Sequence, residues 1–170
     1  TLSSSTPAND ATAVALDSNI VLTFAEPVVI GSGEVKIGKV VDDFYLNIES
    51  ISVSSGQVTG SGTTEITINP TADLESSTEY AFRIDSTAFD DAAGNSYAGI
   101  SDNTTLNFTT VDATAPTLSS SSPTDNATAV SVDSNIVLTF AEEVSVATGN
   151  ITLKKSSDDS TVETIDVTNG

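Results

Sequence analysis

The sequence contains no cysteine, histidine, methionine or tryptophan. Without cysteine there are no disulfides and no thiolate metal sites. Without histidine and cysteine, the Ser-His and Cys-His nucleophile pairs are excluded. Cations are scarce too: five Lys and Arg stand against 24 Asp and Glu, a net charge of −19. Such a chain has no basic surface to displace counterions from a phosphate backbone, which excludes nucleic acid as a partner. Anionic membrane surfaces are disfavoured for the same reason, and the acidic chain calls for screening by salt or divalent cations. No apolar run approaches the ~20 residues that span a bilayer, so no membrane insertion is expected. No signal peptide is visible. The chain opens Thr1-Leu2-Ser3 without an initiator Met, which reads as an internal segment of a longer protein. Phosphate loops are missing as well: Gly31-Ser32-Gly33 and Gly60-Ser61-Gly62 read as hairpin turns.

What is present is β-branched and repetitive. Hydrophobic residues make up 38% of the chain, mostly Val, Ile, Leu, Ala and Phe among Ser, Thr, Asp, Asn and Gly. That mixture favours strands joined by polar turns. The segment starting at Thr1 recurs at Thr117, and Asp17–Glu26 is identical to Asp133–Glu142. The period, 117 − 1 = 116 residues, suits one sandwich domain. After Asp42-Asp43 and Asp158-Asp159 the copies drift; the first carries Phe44 and Tyr45 where the second has Ser160 and Thr161. Gly170 aligns with Gly56, so the second copy lacks everything matching Gln57 to Thr110. The expected organisation is a complete repeat over 1–110, a linker over 111–116 stiffened by Pro116, and the N-terminal half of a second repeat over 117–170.

Period-two alternation and turn punctuation predict seven strands in the first copy: Thr1–Ser5, Asn19–Phe24, Glu34–Lys39, Tyr45–Val53, Glu65–Asn69, Glu79–Ile84 and Thr105–Thr109. The fourth takes Leu46, Ile48, Ile51 and Val53 as its apolar face, with a register change near Glu49-Ser50. Ala88–Ala93 reads as one short turn at most. Seven alternating strands in this length call for an all-β, two-sheet sandwich of the immunoglobulin type. The run Asp73–Tyr80 resembles the approach to a tyrosine corner, in which the Tyr80 hydroxyl ties back to the preceding loop.

In order and spacing these phrases carry a family resemblance: Ala115-Pro116-Thr117-Leu118 followed by Ala127–Val130, Asp133–Glu142, Leu74–Tyr80, Asp91–Asn95 and the closing Phe108–Thr110. They resemble the bacterial Ig-like repeats of surface-layer proteins and giant secreted adhesins. The resemblance implies a spacer or adhesive role at the cell surface, no catalysis, and in many members calcium at domain junctions.

Two kinds of site follow as expectations. Calcium takes six to eight oxygen ligands, and Glu26, Asp90, Asp91, Asn95, Asp112 and Glu142 are its candidate ligands. Up-and-down strands place Glu26 with Asp90, Asp91 and Asn95 in loops at one end, and a linker residue, Asp112, toward Glu142 of the next copy. Asp and Asn also favour turns for backbone reasons alone. The second kind is a binding patch at Phe44 and Tyr45, where the copies differ. The functional expectation is an extracellular structural repeat of an adhesin, surface layer or fibre; the alternative is a carbohydrate- or protein-binding module. Half a sandwich leaves Ile136, Leu138 and Phe140 uncovered. Neighbouring repeats, a segment of another chain, or a homo-oligomer or fibre are therefore expected to complete 117–170 by strand addition.

Overall fold

The computed structural model describes residues 1–169; Gly170, matched above to Gly56, lies outside them. The chain divides into two units, Thr1–Thr114 and the residues from Ala115 onward, each with its own sheets.

The first unit contains β1 (Leu2–Thr6), β2 (Ala11–Val14), β3 (Ile20–Ile30), β4 (Glu34–Val41), β5 (Phe44–Ser52), β6 (Val58–Thr59), β7 (Thr63–Ile68), β8 (Glu79–Ile84), β9 (Phe89–Asp91) and β10 (Asn107–Thr110). One sheet has the order β1-β3-β7-β6, with β9 paired to the far part of β3; the other has the order β2-β10-β8-β4-β5. Alternation turns one face of each strand inward. Ile20, Leu22 and Phe24 of β3 and Ile66 and Ile68 of β7 meet Val35 and Ile37 of β4, Tyr80, Phe82 and Ile84 of β8, and Phe108 of β10. All are buried in a single cluster, the core of a two-sheet sandwich. Phe82 stacks on Phe108 at 5.7 Å between ring centroids. The Tyr80 hydroxyl accepts a 2.9 Å hydrogen bond from the Glu75 N–H, the tie that closes a tyrosine corner.

Several details differ from the sequence reading. The first unit has ten strands instead of seven among its residues, because β2, β6 and β9 are two to four residues long and exist through their partners. Ala88–Ala93 holds no helical turn: Phe89–Asp91 pairs with Val28–Ile30. Strand β3 does not stop at Phe24 but runs on to Ile30, shifting register between Thr23 and Val28 against β7. Glu26 therefore lies within a strand and not in a loop. Gly31–Gly33 joins strands of different sheets, so it is no hairpin, whereas Gly60–Gly62 joins the paired β6 and β7. In β5, Ile37 faces Glu49 while Gly38 faces Asn47, which leaves Ile48 as a bulge residue. The bulge lets Leu46 and Ile51, of opposite parity, share the face of Ile37; Ile51 is buried there, while Leu46 and Ile48 are exposed.

The second unit contains β11 (Leu118–Ser122), β12 (Val137–Phe140), β13 (Asn150–Lys154) and β14 (Thr161–Asp166), then a short 3-10 turn. They form two separate two-stranded sheets, β11-β12 and β13-β14. The β11–β12 register repeats β1–β3: Leu118 faces Phe140 as Leu2 faces Phe24, and Ser121 faces Leu138 as Ser5 faces Leu22. Among the described residues, no exchanged strand is added to either small sheet.

Candidate functional site

The most elaborated surface lies on the outer face of the β4–β8 pair. Lys36 stands opposite Arg83 in the register, so two of the five cations are cross-strand neighbours rather than scattered. Lys36 Nζ donates to Asp85 at 2.8 Å, which raises the lysine pKa and lowers that of the carboxyl. Lys39 is paired with Glu75. Arg83, by contrast, has no carboxylate within ion-pair distance among the described residues. Its Nη2 donates to Asn103 Oδ1 at 2.9 Å, and its buried Nε has no hydrogen-bond partner.

The Arg83 guanidinium sits 4.0 Å over the Tyr45 ring, a cation–π contact. Tyr45 in turn lies flat against Gly38, where any Cβ would strike the ring. Burial pushes the Tyr45 phenol up to about 12, against the opposing influence of Arg83. The second copy has Lys154 at the position of Gly38, and opposite it Thr161, as Asn47 is opposite Gly38; no aromatic residue lies in 141–166, so ring and seat are lost together. Around these groups opens a shallow groove of about 420 Å³, lined also by Lys36, Asp85, Ser86 and Ser101. Of the expected patch, Tyr45 belongs to this groove, and Phe44 beside it is 78% exposed. Arg83 and Asn103 were not anticipated; the signal was the register that sets Arg83 opposite Lys36.

The expected calcium ligands divide. Glu26, Asp91 and Asn95 line one hollow above Phe24, Phe89 and Tyr97. Asp91 is already occupied within its own turn, accepting from Asn95 Nδ2 and from the Asn95 and Ala93 N–H groups. The Asn95 bonds chiefly hold its carboxyl below the usual range. Asp90 turns to the Ser96 hydroxyl at 2.5 Å. Asp112 accepts from Ser76 and Thr114, and Glu142 belongs to the second unit. Among the described residues, no three Asp or Glu side chains are grouped so that they could share a metal ion.

Among solved structures, the S-layer protein rSbsC is similar over 94% of this chain, with 15% identity and a TM-score of 0.40. The matched part is 21% of that chain, so the sequence spans about a fifth of its length. Among curated proteins there is no significant match. The family model of the bacterial Ig-like domain matches residues 1–110 and again residues 112–170. A sandwich with a tyrosine corner, begun a second time in the same register, belongs with that match: the chain is a member of the bacterial Ig-like domain family.

Proposed function

We propose that this chain is part of an extracellular structural array, in which Ig-like units serve as spacers of a bacterial surface protein. The observation that carries this reading is the repetition itself: one backbone plan begun twice with the same β1–β3 and β11–β12 registers. The connection between copies is short. Val111 donates to the Val14 carbonyl at 2.8 Å, and the Ala113 N–H donates to the Ser76 hydroxyl at 2.8 Å, so the first unit fastens its own outgoing chain. Catalysis is no part of this reading: among the described residues the carboxylates of Asp85, Asp91, Asp102 and Asp112 are engaged in strand and turn hydrogen bonds. Antibodies raised against residues 1–114 test the reading on intact cells of the source organism. Labelling that is lost on mild protease treatment of whole cells supports it; antigen found inside lysed cells alone overturns it.

A second reading rests on Arg83. An arginine without a carboxylate, stacked on an aromatic ring in a groove with two serines, suits a carboxylate-bearing ligand such as an acidic saccharide. Glycan-array binding that is lost on Arg83→Ala supports this; an inert array removes it. Calcium is a proposal for the hollow at Glu26, Asp91 and Asn95. Those side chains supply part of a six-to-eight-oxygen shell, with water and backbone carbonyls left to complete it. A higher Tm in calcium than in chelator at matched ionic strength supports it by mass action; an unchanged Tm removes it.

A further inference from the structure

Strand β5, Phe44–Ser52, is nine residues long and forms one edge of its sheet. It pairs with β4 on one side, and its other side is open among the described residues. The remaining edge strands of the first unit, β1, β2, β6 and β9, have five, four, two and three residues. Short strands, proline, lysine and bulges keep sheet edges from pairing with other chains. Strand β5 contains neither proline nor lysine, and its bulge at Ile48 leaves Phe44–Asn47 in regular register.

This stretch is also apolar where it meets water. Phe44 faces Val41, and Leu46 faces Lys39. Alternation puts Val41, Phe44 and Leu46 on one face, where they are 53%, 78% and 58% exposed. The charges beside them are already paired. Lys39 is bound to Glu75. Glu49, the one charged residue of β5, accepts from the Thr71 N–H and from Gln57 Nε2. The second copy has no such strip: around the same Asp-Asp pair it carries Ser156, Ser157 and Ser160.

A net charge of −19 makes copies of this chain repel, so they meet most easily on a surface whose charges are paired. The β5 edge is also self-complementary. A two-fold axis at Tyr45 sets β5 antiparallel to β5 of a second copy. Phe44 then faces Leu46 twice, Asp43 faces Asn47 and Glu49 faces Val41, so no acid opposes an acid. Moving the axis to Leu46 would set Asp43 against Glu49, which fixes the register.

We propose that the β5 edge is an interaction surface for a second copy of this chain, closed by antiparallel β5–β5 pairing about Tyr45. The same patch serves on both copies, and two five-stranded sheets become one. This goes beyond the spacer role, because it links one chain to another through a specific strand. One strand pair is a small interface, so the association is weak and depends on concentration.

Sedimentation equilibrium of the 170-residue chain tests this, over a concentration series reaching about 1 mM. The expected result is a monomer–dimer equilibrium that tightens as sodium chloride is added, because salt screens the acidic repulsion. Leu46→Lys puts a charge on the strip and removes both Phe44–Leu46 contacts. It should weaken association by about ten-fold or more, while the urea midpoint read by tyrosine fluorescence stays near that of the parent. Leu138→Asp, in the second unit, should leave the dimer intact. A chain that is monomeric throughout the series overturns the proposal. So does a dimer that survives Leu46→Lys or is lost with Leu138→Asp.

Discussion

Leu22 and Leu138 occupy the same position in identical ten-residue sequences, and the structure gives them opposite consequences. Leu22 is fully buried between two sheets; Leu138 is 41% exposed. Truncating a leucine in a packed core costs about 2–5 kcal/mol, through lost transfer energy and the cavity left behind. With a urea dependence of about 1–3 kcal/mol per molar for a domain of this size, Leu22→Ala lowers the unfolding midpoint of the first unit by about 1–3 M. Leu138→Ala leaves no cavity, because no second sheet packs over it, and its cost stays below about 1 kcal/mol. The chain supplies its own probe, since its three tyrosines, Tyr45, Tyr80 and Tyr97, all lie in the first unit. Tyrosine fluorescence followed through urea unfolding reads the first unit and should move for Leu22→Ala. Far-UV circular dichroism reads both units, and Leu138→Ala should displace no transition in it. A cooperative transition of the second unit that Leu138→Ala lowers as far as Leu22→Ala lowers that of the first would refute the difference in closure between the units.

Tyr80→Phe removes the hydroxyl that receives the Glu75 N–H and should cost about 1–3 kcal/mol in the same unfolding assay, since a part-buried donor loses its partner. The Thr104 N–H, with further bonds from Thr105, lowers the Asp102 carboxyl from 3.8 to about 2. Because the folded value lies below the unfolded one, its contribution is present above about pH 4 and is lost as pH falls through about 2. Asp102→Ala should therefore lose less stability than the parent across that window, read as Tm against pH. Gly38→Ala drives a methyl into the Tyr45 ring. It should unseat the ring from beneath Arg83, shifting the Tyr45 ring resonances in NMR while Tyr80 and Tyr97 keep theirs.

Strands with a clean alternation were legible from the sequence: Glu79–Ile84 has the bounds of β8, and the tyrosine-corner phrase ends in the bond made by Tyr80. What escaped was structure that exists through a distant partner. Ala-Thr-Ala-Val is a strand at Ala11–Val14, where β10 is beside it, and is not one at Ala127–Val130. No local pattern distinguishes the two. Phe89–Asp91 reads as turn chemistry yet pairs with Val28–Ile30, and Leu46 has the expected face by register but is exposed there. The groove was half visible. Tyr45 stood out as a difference between copies, but its contact with Arg83 depends on the adjacency of β5, β4 and β8 across the sheet. The acidic residues chosen as metal ligands were the same types that build turns, and the structure uses Asp91 and Asp112 in that way.

The central claim is that a repeat becomes a stable unit when both of its halves are present, and that the first copy meets this condition while residues 115–169 do not. Native-state hydrogen exchange on the 170-residue chain tests it most directly, because Asn19–Thr23 and Asn135–Thr139 are the same sequence and share intrinsic exchange rates. Alternation aims the Leu22 N–H at β7, since Ala25 donates on the opposite side to Thr1, so protection at Leu22 should approach the global stability of the first unit. Leu138, whose N–H is on the side opposite β11 and unpaired among the described residues, should exchange orders of magnitude faster. Equal protection of the two segments in a monomeric chain would contradict the account.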